Sequence, residues 1–250
     1  MYPKIIFMDM EGTLLRKASH LDNGKVAPSA WTLLAEYLGP EALREEEQTK
    51  DQWLKGYYKS YIEWMQDTIK IYQRHGLTVD LFNRVMDSIE ITPGVEDAIA
   101  IFHELGAVTA IISGGFKALC DRLQRSLKID HALAACEYFF DPATGLLQHW
   151  NLLPSDYKIK VDFMRLIMKE YKVQKEDCVF VGDGQNDTWM ARVVGLSIAF
   201  NAHPDLKKVS TYSIDQQPGK DDFRAVTGLI ISHIEQTAPV HQKENMAGLN

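Results

Sequence analysis

The chain has 250 residues, 46% hydrophobic and 24% charged, which suits one soluble core domain with an insertion and excludes wholesale disorder. A formal charge of −7 argues against a general nucleic-acid surface or an anionic-membrane surface. Cys120, Cys136 and Cys178 lie far apart without metal-ligand spacing, which argues against a disulfide framework or zinc site and predicts a reducing, cytoplasmic home. No apolar stretch is long enough for a bilayer, and the run after Lys4 ends at Asp9, so neither anchor nor leader is expected.

Residues 4–9 read as a short buried strand. Residues 14–90 then read as helices only, at 29–38, 53–72 and 80–89, with caps at Ser29 and Asp80 and breaks at Gly39-Pro40 and His75-Gly76. This stretch is expected to be an all-helical cap inserted after the first strand, covering 16–90. Its acidic run Glu45-Glu46-Glu47 reads as a solvated helix face. Its aromatic residues Trp53, Tyr57, Tyr58, Tyr61 and Trp64 read as the cap's own core rather than a substrate cage. The turn Thr92-Pro93-Gly94 returns the chain to a helix over 95–105. A strand at 107–113 follows, then a hairpin turning at 141–145, a helix at 160–171, and strands at 178–183 and 196–200. The alternation predicts an α/β fold with a Rossmann-like parallel sheet, built from 1–15 and 91–237, with a frayed tail at 238–250.

Three apolar runs end in polar chemistry, and parallel strands bring their carboxyl ends to one sheet edge, where ligands bind. The first ends in Asp9, followed by Glu11, Gly12 and Thr13. A backbone turning at Gly12 can aim both carboxylates at one point, one to attack phosphorus and the other to handle the proton. The last ends in Asp183; beside Asp9 it forms a repelling pair that a hard cation such as Mg²⁺ relieves. Asp187 reads as a helix cap that could also orient the metal's waters. Between them, Ser113-Gly114-Gly115 sits where a strand meets a helix, a setting that favours an anion. Lys160 offers a positive partner for a phosphoryl oxygen, with Lys158 competing for the role. His20 falls at the entrance to the helical cap, within reach of a substrate.

These segments resemble the four signature motifs of the haloacid dehalogenase superfamily of phosphohydrolases, and within it the phosphoserine phosphatase-like branch. The resemblance rests on Asp9-Met10-Glu11-Gly12-Thr13, Ser113-Gly114-Gly115-Phe116, Lys160-Val161-Asp162 and Gly182-Asp183-Gly184-Gln185-Asn186-Asp187, in that order. It implies Mg²⁺ and an aspartyl-phosphate intermediate. Asp9 becomes nucleophile and metal ligand. Glu11 takes the acid/base position and lends its backbone carbonyl to the metal, and Asp183 is the second carboxylate ligand. Ser113, the Gly114 amide and Lys160 hold the phosphoryl group, with Asn186 and Asp187 in support. The match of the residues after Lys160 to the family's helix start favours it over Lys158.

Two departures stand out. The family has Asp where this chain has Glu11, one methylene longer, and general acid–base help is worth about 10²–10⁴-fold. The branch also clamps its amino-acid substrate with a glutamate and an arginine. Here the loop 15–20 holds no acid, and around 64–71 stands Lys70 instead of arginine. The expected activity is hydrolysis of a small phosphorylated metabolite, O-phosphoserine leading. A phosphotransferase or mutase, a phosphatase for a non-amino-acid ester such as a sugar phosphate, and a non-catalytic binding module are the alternatives. Aromatic cap surfaces could pair in a homodimer.

Overall fold

The computed structural model describes residues 3–17, 19–22, 24–217 and 219–237. A seven-stranded sheet runs through it, with β1 (Ile5–Met8) at its centre. On one side lie β2 (Val108–Phe116), β3 (His131–Phe140) and β4 (Leu147–Leu152); on the other lie β5 (Cys178–Gly182), β6 (Leu196–Phe200) and β7 (Tyr212–Ile214). Every pairing is parallel except the β3–β4 hairpin, whose turn is closed by Asp141 Oδ1 accepting from the Ala143 and Thr144 amides. The α/β class follows, as the strand-and-helix alternation predicts.

Alternation along β1 explains why it is central. Ile5 and Phe7 enter one hydrophobic layer, with Ala110, Ile112, Phe180 and Met164. Ile6 and Met8 enter the other, with Ile111, Val179 and Val181. The strand pairs in register on both flanks, Met8 opposite both Ile111 and Val181. The chain leaves β1 toward β2 and later crosses back to β5, so the strand order reverses at β1, and the crevice beyond its carboxyl end is the topological switch point.

Between β1 and α5 (Val95–Glu104) stand four helices: α1 (Ala30–Leu38), α2 (Pro40–Leu54), α3 (Tyr61–Arg74) and α4 (Val79–Ser88). Ser29 caps α1 by accepting from the Thr32 amide, as expected. Three expectations need correction. The helix read over 53–72 is the end of α2 and most of α3, parted by a turn at Gly56 (φ 75°), and a new cap at Ser60 accepts from the Glu63 amide. The Gly39-Pro40 break does separate two helices, but the second, α2, begins at once because proline suits a first helical turn, so residues 40–52, read without a helix, are helical. Thr78, not Asp80, caps α4; Asp80 lies in the first turn, where its charge favours the helix dipole. Trp31 of α1 and Phe82 of α4 lie 4.4 and 5.5 Å from the Phe116 ring, centre to centre, so the helices seat on the carboxyl end of β2.

The remaining helices are α6 (Lys117–Leu127), α7 (Lys160–Glu170), α8 (Thr188–Ala191), α9 (Pro204–Lys207) and α10 (Arg224–Thr237). Among the described residues no helix is long and apolar enough to cross a membrane. The expected tail, 238–250, lies outside the described residues.

Candidate active site

The three strand ends do meet. Asp9 follows β1, with its amide bonded to the Val181 carbonyl (2.9 Å). Asp183 follows β5, and Ser113 lies within β2, which runs on through both glycines to Phe116 before α6 begins. All three line one cavity of about 240 Å³, with Glu11, Lys17, Gly114, Asp156 and Asn186. Tyr61, Trp64, Met65 and Thr68 of α3 and Glu46 and Lys50 of α2 form its far wall.

Lys160 is the electrostatic hub. It opens α7, is fully buried, and its Nζ donates to Asp9 Oδ1 (2.7 Å) and Asp187 Oδ1 (2.8 Å). Burial alone would lower its pKa, but the charges of Asp187, Asp9 and Asp156 drive it well above the ordinary lysine value. Lys158 lies instead 5.7 Å from the centre of the Trp189 ring. Burial and the neighbouring Asp187 push the Asp9 carboxyl upward against the pull of Lys160. Asp187 stands at the N-cap position of α8, as the sequence reading has it, but its side chain makes no bond into that helix and caps the short turn before it instead. It is fully buried, and its Oδ2 accepts from the Gly184 amide (3.0 Å), which tightens the turn carrying Asp183.

Asp183 meets a residue that sequence reasoning missed. Lys17 Nζ donates to Asp183 Oδ2 at 2.6 Å. Burial opposes the charge on Lys17, yet Asp183 raises its pKa. The available signal was the basic pair Arg16-Lys17 in the loop that follows the Gly12 turn. Asp156 was missed too. Its Oδ1 accepts from Asn186 Nδ2 (2.6 Å) and from the Tyr157 amide (2.8 Å), and lies 3.8 Å from Lys160 Nζ. It stands one turn before Lys160, a spacing that could have flagged it. Gly114 is required beside it, since a Cβ there would lie 2.3 Å from Asp156 Oδ2.

Ser113 Oγ accepts from the Gly115 amide (3.1 Å), leaving its own proton free to donate. Ser155 holds the strand from behind by donating to the Ser113 carbonyl (2.7 Å). Glu11 reaches α1, where its Oε2 accepts from the Ala30 amide at 2.7 Å. Burial raises the Glu11 carboxyl and this amide resists the rise. The longer side chain is thus anchored to a helix N-terminus at the cavity's edge.

Asp9, Asp183 and Asp187 each bring a carboxylate oxygen within 4.8 Å of the others, and all three residues are buried. An all-oxygen, anionic donor set of this kind suits a hard divalent cation. Gly12 makes the cluster possible. Its φ of 86° is left-handed, and a Cβ would lie 2.3 Å from Asp183 Oδ2. Gly12→Ala is therefore expected to cost about 1–2 kcal/mol in backbone strain alone and lower the melting temperature by about 2–8 °C. Thermal unfolding measures this; an unchanged melting temperature would show that the turn tolerates a side chain.

Two expected substrate contacts need correction. Lys70 is exposed and pairs with Asp67 (3.3 Å). On α3 the cavity face carries Tyr61, Trp64, Met65 and Thr68, and Lys70 lies roughly 200° around the helix from Thr68. His20 lines a neighbouring cleft with Arg16, Asn201 and Lys207, outside the Asp9 cavity. The aromatic residues divide. Tyr61 and Trp64 line the cavity, Trp53 stacks on Trp64 (5.2 Å, 7° between planes), and Tyr57 is exposed. Glu46 is no solvated residue either: with Ala42 and Thr49 it forms the buried stripe of α2.

The sequence model of the haloacid dehalogenase-like hydrolases matches residues 3–195. The chain belongs to this family. Among curated relatives of this hydrolase are the phosphoserine phosphatases of Lactococcus lactis subsp. lactis, 32% identical over 57% of this chain and 65% of theirs, and of Archaeoglobus fulgidus, 32% identical over 57% and 41%. The aligned part thus spans from about two fifths to just under two thirds of those proteins. A solved phosphoserine phosphatase described as a phospho-aspartyl intermediate analogue has the same fold, with a TM-score of 0.71 at 23% identity, over 92% of this hydrolase and 99% of that chain.

Proposed function

We propose that this chain is a phosphatase acting on a small phosphomonoester, with O-phosphoserine the lead substrate and Mg²⁺ as its metal. The observation that carries the reading is the Asp9 carboxylate, open to a cavity that Ser113 also lines while Lys160 grips one of its oxygens. The 32% identity to two phosphoserine phosphatases supports it.

In this reading Lys160 fixes the rotation of the Asp9 carboxylate, and the second oxygen attacks phosphorus in line. The Ser113 hydroxyl, the Gly114 amide and Lys160 donate to the phosphoryl oxygens. Glu11, held by the Ala30 amide through one oxygen, protonates the departing alcohol and then takes the proton of the water that hydrolyses the aspartyl phosphate. Mg²⁺, held by Asp9, Asp183 and the Glu11 backbone carbonyl, would supply positive charge against these carboxylates and the phosphate. Asn186 and Asp187 position the Asp183 turn through Asp156 and Gly184. Residues 16–90 act as the cap that closes over the ester, set on the core of 1–15 and 91–237.

The test is phosphate release from 4-nitrophenyl phosphate and a panel of small metabolites, with and without Mg²⁺, run beside a competing alcohol. Free phosphate only with Mg²⁺ present is the expected result. A new phosphoester formed on the alcohol makes the chain a transferase instead, and no turnover of any ester overturns the assignment.

A further inference from the structure

Two ammonium groups of different character serve the cluster of Asp9, Asp183 and Asp187. Lys160, fully buried at the start of α7, holds Asp9 and Asp187. Lys17 holds Asp183, with Nζ 2.6 Å from Oδ2, and its side chain is 34% exposed against 10% for its partner. Each carboxylate of the cluster therefore has a lysine, and of the two lysines Lys17 is the one that reaches solvent.

The backbone just before Lys17 is fixed where the chain leaves the core. The Thr92 amide donates to the Leu14 carbonyl (2.9 Å), and the Arg16 amide donates to the Glu90 carbonyl (2.9 Å). The side chain has two spaces beside it. Lys17 and Asp183 line both the catalytic cavity and the neighbouring cleft, about 650 Å³, that His20 also lines. Asp215 and Asp221 face that cleft too and offer carboxylates to an ammonium that leaves Asp183. In the phosphatase reading Asp183 is also a metal ligand. A divalent ion bound to it meets an ammonium already at hydrogen-bond distance from the same carboxylate. Two cations that close repel each other, and they compete for one anionic partner.

We propose that Lys17 is an exchangeable counter-cation of the metal site: it pairs with Asp183 until a divalent ion binds, then withdraws into the neighbouring cleft, and this competition sets the affinity for the metal. The inference rests on the metal site of the phosphatase reading and adds a residue that acts on it through Asp183. Lys17 is thus a positioning residue. It keeps the buried Asp183 carboxylate paired before the ion arrives, at the cost of weaker metal binding.

The experiment titrates Mg²⁺ calorimetrically into the metal-free full chain and into its Lys17→Met and Lys17→Arg variants. Lys17→Met is similar in length and uncharged, and is expected to bind Mg²⁺ more tightly by about tenfold or more. Its metal-free form is expected to melt about 2–10 °C lower, because Asp183 has lost its partner. Lys17→Arg keeps the charge and is expected to stay within about threefold of the wild-type affinity. A readout on the wild type needs no variant: acetylation of Lys17 by acetic anhydride, followed by mass spectrometry with Lys4 as internal reference, is expected to quicken by about threefold or more when Mg²⁺ is added. An Mg²⁺ affinity unchanged or weakened in Lys17→Met overturns the proposal, as does a Lys17 labelling rate that Mg²⁺ leaves unchanged. Turnover of 4-nitrophenyl phosphate that needs Mg²⁺ keeps the phosphatase reading standing in either case. No Mg²⁺ binding by the wild type or either variant refutes the metal site and this inference together.

Discussion

Asp9→Asn is expected to lower phosphate release by about 10⁴-fold or more while leaving the fold intact. The amide is isosteric with the carboxylate and keeps an oxygen for Lys160 Nζ, now 2.7 Å from Oδ1. What is lost is the anionic oxygen that forms the bond to phosphorus. Stability should hold or rise, because Asp187 and Asp183 both repel a charge on Asp9 and burial penalises it. The expected pair of results is an unchanged or raised melting temperature and the loss of 4-nitrophenyl phosphate turnover. Activity within tenfold of wild type would remove Asp9 from the nucleophile's role. A melting temperature well below wild type would instead make its carboxylate a structural requirement.

Lys160→Met should have the largest effect on stability. Lys160 is buried completely and holds Asp9 and Asp187 at 2.7 and 2.8 Å. Methionine fills much of the same volume but leaves the buried carboxylates facing one another without their cation. Removing one partner of a buried pair costs about 3–5 kcal/mol, which for a chain of this length lowers the melting temperature by about 6–20 °C. Adding Asp187→Asn to Lys160→Met removes one of the stranded charges and is expected to recover part of that loss, but not the activity, since the phosphoryl donor stays absent. Urea titrations of wild type, single and double variants measure this directly. A single variant as stable as wild type would show that Asp9 and Asp187 share a proton rather than depend on the lysine.

The strand-end motifs were legible for a physical reason. Asp9, Ser113 and Asp183 each sit at or near the end of a compact apolar run, and parallel strands in one sheet bring such ends together whatever the helices do. Lys160 was legible only beside its competitor, because a lysine's burial is not written in its neighbours. Glu46 was misread because three consecutive glutamates look solvated, and only the packing of α2 decides which one turns inward. Here Ala42, Glu46 and Thr49 face in, while Glu45 accepts from Arg74 at 2.6 Å. Lys70 failed for the same reason, being one helix face away from Thr68.

The sequence by itself therefore determined the α/β class, the insertion of helices after the first strand, and the group of acids, serine and lysine at the sheet edge. These follow from periodicity and strand ends, which are properties of neighbouring residues. Only the tertiary structure decided that Lys17 pairs with Asp183, that Glu11 docks on the Ala30 amide, that the Asp187 carboxylate serves Lys160 and the Gly184 amide rather than the amides of α8, and that Glu46 enters the cavity. Each of those depends on which faces of elements distant along the chain come to lie against one another, and side-chain partners at that range are set by packing.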